Sequence, residues 1–316
     1  MLLFIQHTTE LAYSEPVTET VMEVRMMPLH DRHQVLRAFR LDVAPRATAY
    51  EHADWLDNRV HLFSILPGHD RVLIAARSVV QTEPRHPPFH ELMTATVGQP
   101  DLSQLDLLRF HGPIFQTDAL FGLASALGLP QLGTPGALVE RVTTSLVDHI
   151  SYQKGITTSA TAIDQVLEHK AGVCQDLAHV QIGLLRANGI PARYVSGYFY
   201  RPDGAAEIES HAWCEAHLAE HGWVALDPTH RCVAGGGHVA VARGRDFSDV
   251  PPNRGVYKGT ASERLAVRVK IRESTERPEG LLALDLSEVD AIAEAIMPAR
   301  RPHREEIEYQ QAQQQQ

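Results

Sequence analysis

The sequence predicts an α+β chain in which β and helical segments are largely segregated. Three observations carry this. Short alternating or apolar runs bounded by Pro, Gly, Asp or Asn fill residues 1–80. Apolar residues at helical spacing take over between 90 and 150. From 155 to 272 two helical stretches are followed by a series of strand-like runs, the pattern of a helix packed on an antiparallel sheet. The chain has 316 residues, enough for roughly two domains of about 150 residues each. It is 44% hydrophobic and 22% charged, which leaves ample material for a buried core and excludes a wholly disordered chain.

In the first segment the runs 21–27, 34–43, 60–66 and 71–80 read as strands of a small antiparallel sheet or sandwich, closing near the Pro-rich stretch EPRHPPF at 83–89. In the second, Leu138, Val139, Val142, Leu146 and Ile150 predict a helix over 137–151, with Gly136 ahead of it. In the third, 162–169 is a short helix. A longer one follows over 174–188, with Leu177, Val180, Leu184 and Leu185 on one face and Gly189 and Pro191 as its stop. Strands follow over 192–200, 211–218, 223–226 and 265–271. In the last of these Leu265, Val267, Val269 and Ile271 alternate with basic residues. An apolar stripe from Leu286 to Ile296 predicts a short helix with Ser287 at its start, and the polar tail ending YQQAQQQQ is low-complexity. The expected division is therefore 1–85 β domain, 86–154 helical connector, 155–275 domain of helices packed on a sheet and 276–316 extension.

Composition narrows function by exclusion. Twenty-nine basic against 39 acidic residues give 29 − 39 = −10, and no basic run occurs, so nucleic acid is not an expected partner. Three cysteines do not make a disulfide framework and suit a reducing compartment. The opening MLLFIQHTTEL has no basic n-region. The longest mostly apolar stretch, 119–129, stops at Pro130, short of the ~20 residues that cross a bilayer. The expectation is a soluble cytoplasmic protein with no membrane partner. Nothing in the sequence sets its oligomeric state.

The chemistry concentrates in two motifs. In GVCQD (172–176), Cys174 stands at the predicted start of a helix, where the partial positive charge and free N–H groups favour a thiolate and serve an oxyanion. A lone cysteine is more commonly a buried structural one. In SHAWCEAHL (210–218), a strand puts His211, Trp213, Glu215 and His217 on one face and Cys214 on the other, in the core. The next strand lies in GWVALDPTH (222–230). If an odd-length loop joins the two, His211 opposes Thr229 and Asp227 is its same-face diagonal neighbour; an even loop separates them. Cys174, His211 and Asp227 would then be nucleophile, base and orienting acid. Asp176 and His179 read as capping and packing residues. Trp213 is expected to pack, while Tyr198 could pack or line a cleft.

Taken together, GVCQDLAHV (172–180), GIPARYVSGY (189–198), ESHAWCEAHL (209–218) and GWVALDPTH (222–230) resemble the transglutaminase-like cysteine enzymes, a superfamily related to papain-type folds. GRDFSDVPPNRG (244–255) and IQHTTELAYSEPV (5–17) are similar to the bacterial branch, in which an N-terminal β domain precedes the catalytic one. The resemblance covers residues 1 to about 273 and is strongest from 155 to 259; the extension beyond 280 is outside it. It implies an N-terminal antiparallel β domain and a papain-like catalytic domain, with Cys174 as nucleophile, His211 as base and Asp227 as orienting acid. Tyr152 and Gln153 fall where such enzymes often place a second oxyanion donor. The implied reaction is acyl transfer at a peptide or carboxamide through a thioester, with a peptide or protein as substrate. Hydrolysis is favoured over cross-linking because the chain is only 6% aromatic. A non-catalytic peptide-binding module of the same fold is the competing reading. No cofactor is expected: there is no calcium loop, no phosphate loop, no CxxC and no HExxH. Cys174, His179, His211, Cys214 and His217 therefore do not read as a metal site.

Overall fold

The computed structural model describes residues 1–83, 87–202, 207, 208 and 210–274. The helix expected over 286–296, the Gln-rich tail and part of the 83–89 boundary lie outside the described residues.

The first six strands follow in succession: β1 (Leu2–Val17), β2 (Glu19–Val24), β3 (Gln34–Ala44), β4 (Tyr50–Ala53), β5 (Arg59–Ile65) and β6 (His69–Thr82). On β1, Leu3, Ile5 and Leu11 face inward by alternation, and buried His7 and Thr9 fill the same row. Much later strands join these six. β16 (Glu263–Glu273) pairs antiparallel along β1, from Leu3↔Glu273 to Tyr13↔Glu263. β15 (Asn253–Lys258) pairs with β2, and β10 (Glu207–Ile208) with β16. The sheets run β10-β16-β1-β6-β3 and β15-β2-β5-β4. Residues 253–273, grouped by sequence with the catalytic segment, thus return to the N-terminal sheets.

The connector carries α1 (Phe89–Leu92), α2 (Leu102–Leu105), α3 (Asp118–Ala126) and α4 (Pro135–Ser145). α4 begins earlier than its apolar stripe because Thr134 caps it: the hydroxyl accepts the Ala137 N–H at 3.2 Å, and Pro135 suits the first position. It also ends at Ser145, not 151. A 3₁₀ turn, Leu146–Asp148, keeps Leu146 in the core, Ile150 remains buried, and Ser151 enters a strand, so the helical spacing persists without the helix. That strand, β7 (Ser151–Tyr152), pairs in parallel with β8 (Ala171–Gly172).

The third segment opens with α5 (Ile163–His169) and α6 (Cys174–Ala187). A sheet of order β13-β12-β11-β9-β14 follows. Its strands are β9 (Ala192–Phe199), β11 (His211–Leu218), β12 (Gly222–Asp227), β13 (Cys232–Val233) and β14 (His238–Gly244), every pairing antiparallel. Ala212, Cys214, Ala216 and Leu218 of β11 join Leu177, Val180, Leu184 and Leu185 of α6 in the largest core cluster. On the other face Trp213 packs with Val195, Ala225 and Ala240, as expected. Tyr198, Val239 and Val241 pack against Leu3, Ile5, Val80, Val269 and Ile271 of the N-terminal sheet. The sheet is therefore enclosed between α6 and the β domain. Each such aliphatic side chain removed from water contributes about 1.5–3 kcal/mol, which fixes the strand ends that carry polar groups.

Candidate active site

Cys174 is the first residue of α6 and only partly buried. Its helix start is anchored by Asp176, whose Oδ2 accepts the Val173 N–H at 2.7 Å and the Thr157 hydroxyl at 2.6 Å. A Cβ on Gly172 would lie 2.7 Å from the Asp176 carboxylate, so only glycine fits there. Burial raises the Asp176 pKa despite these bonds. Behind it, fully buried His179 accepts the Phe247 N–H on Nε2 at 3.1 Å and packs on Tyr194. Burial lowers its pKa to about 4, so it stays neutral and pins the 247–250 loop to the helix. Both are structural supports, in keeping with their sequence reading.

His211 opens β11, opposite Gly197 on β9. A Cβ at Gly197 would come within 2.2 Å of the Val239 carbonyl and 2.6 Å of the Trp213 ring, so the indole beneath the histidine demands that glycine. β11 and β12 pair through Leu218↔Gly222, leaving the odd loop 219–221. The parity condition is met, and His211 Nε2 lies 2.7 Å from Asp227 Oδ2. Nδ1 is the nitrogen left for the Cys174 thiol, whose hydrogen bond also bears on the ring. Burial opposes a charged His211, yet the Asp227 hydrogen bond and charge, joined by Cys174, lift its pKa to about 10. Burial likewise opposes the Asp227 carboxylate, yet bonds from His211, His230 and His238 hold it well below the usual range.

Sequence reasoning did not reach His230 and His238. His230 Nδ1 is 2.7 Å and His238 Nε2 3.0 Å from the same Oδ2, while Oδ1 accepts the N–H groups of Thr229 and His230 at 2.9 and 3.2 Å. The available signal was the spacing in DPTH, which returns His230 toward Asp227 across a tight turn. Two donor sets, His211–Asp227–His230 and Asp227–Cys232–His238, have ligand atoms within 4.8 Å of one another. Of the five donors weighed from sequence only His211 belongs to either. The Gly235 N–H donates to His238 Nδ1 at 3.2 Å, so His238 Nε2 carries the proton and faces Asp227 as a donor, not as a ligand lone pair. The hydrogen bonding therefore fits an imidazole–carboxylate network better than a metal centre.

Cys174 and His211 open onto a cleft of about 1040 Å³. Tyr152 lines it; Gln153 is exposed, is not among the lining residues, and donates its backbone N–H to the Gly172 carbonyl. Its far wall comes from the β domain, through His7, Leu265 and Val267. Tyr198 packs between the sheets, its hydroxyl 2.8 Å from His7 Nδ1.

Residues 129–228, which span this constellation, match the sequence profile of the transglutaminase-like superfamily, and residues 3–81 match the bacterial transglutaminase-like N-terminal region. An uncharacterized Mycobacterium tuberculosis protein is 30% identical over 286 residues, covering 84% of this chain and 90% of the relative.

The chain belongs to the transglutaminase-like superfamily.

Its fold is the papain-like helix on an antiparallel sheet, preceded by the bacterial β domain. An uncharacterized Mycobacterium leprae protein is 29% identical over 280 residues, 84% of this transglutaminase-like chain and 97% of that protein. A Pseudomonas aeruginosa protein-glutamine gamma-glutamyltransferase is 37% identical over 82 residues, 23% of this chain and 12% of that enzyme. Among solved structures, a Cytophaga hutchinsonii protein provisionally named a cysteine protease superposes with a TM-score of 0.69. It is 24% identical and covers 88% of this chain and 93% of that one, a likeness of fold.

Proposed function

We propose that the protein is a cysteine-dependent amidase or peptidase acting on a peptide or protein substrate. The observation that carries the reading is that Cys174 and His211 line one cleft large enough for a peptide, with Asp227 Oδ2 2.7 Å behind the imidazole. His211 Nδ1 holds the proton given up by the thiol, and the Cys174 thiolate attacks the amide carbonyl. The tetrahedral oxyanion is met by first-turn amides of α6, which have no intrahelical acceptor. Tyr152, which lines the cleft, is the candidate side chain to assist. Collapse breaks the C–N bond, and His211 returns the proton to the leaving amine. A thioester remains. Water, deprotonated by His211, attacks it, and Sγ leaves to regenerate the enzyme. Asp227 holds the ring in the required tautomer throughout.

Hydrolysis is preferred over transfer to an amine because keeping water out requires a closed, apolar approach. The cleft's lining includes the aromatic residues Tyr152, Tyr194 and Phe247 beside several serines and prolines. Trp213 is buried beneath the sheet and Trp223 lies against Arg193.

The test is turnover of a fluorogenic peptide-amide library by wild type and Cys174→Ala. Loss of all turnover in a variant of unchanged Tm is expected. Near wild-type turnover removes Cys174 as nucleophile, and no turnover by either protein favours the binding module. Raising a primary amine to millimolar levels should leave free acid as the main product; diversion of most product to a new amide makes the enzyme a transferase.

A further inference from the structure

His238 is a buried titratable group that the mechanism above leaves unused. It is 2% exposed and lies on β14, one strand beyond β9 and away from Cys174. The ring is clamped: Phe199 stacks on it at 4.3 Å and Trp213 meets it edge-on at 5.3 Å. The polar groups near it include Asp227, His211, Cys232 and the Gly235 N–H, and His230 shares Asp227 Oδ2 with it. A backbone N–H can only donate, so Nδ1 is an acceptor and the proton sits on Nε2, aimed at Asp227 Oδ2. His230 is different, since it is 29% exposed and water competes for its ring.

We propose that His238 is a positioning residue of the Cys174–His211–Asp227 relay: its Nε2–H, held in that tautomer by Gly235, keeps the buried carboxylate ionised and aimed at His211. This rests on the reading given under Proposed function. A carboxylate as buried as Asp227 retains its charge only while donors satisfy it, and a protonated Asp227 no longer supports the His211 charge. Charge-assisted bonds of this kind are worth enough to change a rate tenfold or more.

The experiment compares wild type, His238→Gln and His238→Leu. Gln puts an N–H near the position of Nε2; Leu is of similar size and has none. The readouts are the pH profile of Cys174 alkylation by iodoacetamide, Tm, and kcat and KM on the peptide amide that wild type cleaves fastest. In His238→Leu, kcat should fall roughly tenfold with KM nearly unchanged. Its acid limb should move up in pH, because a carboxylate short of a donor protonates earlier. His238→Gln should recover most of both. Two folded variants with the same kcat and the same limb overturn the proposal, since His238 then only fills space. A measurement on the wild-type protein stands apart from folding and turnover. Imidazole nitrogen spectra should show the proton of His238 on Nε2 and Nδ1 as an acceptor; a Nδ1–H tautomer overturns the proposal. Full turnover in Cys174→Ala instead sinks the underlying mechanism and leaves the nitrogen spectra unchanged.

Discussion

Asp227 illustrates how one side chain can set the chemistry of another. Its two oxygens accept from three imidazoles and two backbone amides, more donors than the roughly four lone-pair sites a carboxylate offers. In the proposed mechanism its loss should act on rate and not on affinity. Asp227→Asn keeps the shape and removes the charge, so kcat should fall while KM changes little. The basic limb of the kcat/KM profile, set by His211 near 10, should move to lower pH. A change in KM alone would make Asp227 a pocket residue. Two other histidines make a stability prediction. Burial lowers both His7 and His179 to about 4 from 6.5. Both fold as neutral rings, so their contribution is present above 6.5 and is lost as pH falls from there toward 4, up to about 3 kcal/mol each. Tm should be flat just above 6.5 and fall steadily below it, and His179→Gln, which still accepts from Phe247, should flatten part of that slope. Cys174, His211 and Asp227 were visible in the sequence because each sits in a motif with its own local geometry. His230 and His238 were not, since they converge on one oxygen only through a turn and a non-adjacent strand.

At the scale of elements, the hairpin β11–β12 and the start of α6 decide whether the groups meet. The alternation in SHAWCEAHL was enough to read β11 to the residue, and the odd loop 219–221 supplied the parity that puts Asp227 on the His211 face. The apolar spacing of α6 was equally legible, because a helix buried on nearly every side leaves a dense pattern. β1 was harder: His7 and Thr9 interrupt its inward row, and alternation alone does not show that they are buried. At the Cys174 end, Gly172→Ala puts a methyl against Asp176. The helix start must shift, so activity should drop by tenfold or more, with a stability loss of about 1–3 kcal/mol seen as a lower Tm. Wild-type kcat in that variant would mean that the site tolerates movement of Cys174 along the helix axis.

At the scale of the molecule, the sheet that carries His211 and Asp227 depends on its neighbours. Buried Glu215 binds Arg193 at 2.6 Å and Arg243 at 3.1 Å, and Arg243 reaches Asp31 of the β domain at 2.6 Å. Glu215→Ala leaves two buried guanidinium groups short of their partner and should cost about 3–5 kcal/mol in denaturant unfolding, far more than an exposed ion pair would. The return of β15 and β16 to the N-terminal sheets was not legible, because alternation in 265–271 declares a strand without naming its partner. Deleting 300–316, a polar stretch without apolar periodicity, should leave Tm and activity unchanged. Ending the chain at residue 262 removes β16, bares the edge of β1 and should lower Tm sharply. The same pairing orders events during synthesis. Cys174, His211 and Asp227 leave the ribosome before Leu265 and Val267, which form the far wall of the cleft. A nascent chain therefore carries its whole reactive constellation while one side of the binding surface is still untranslated. The strand that completes the cleft is also the partner of β1, so one edge of β1 stays open until β16 has been made.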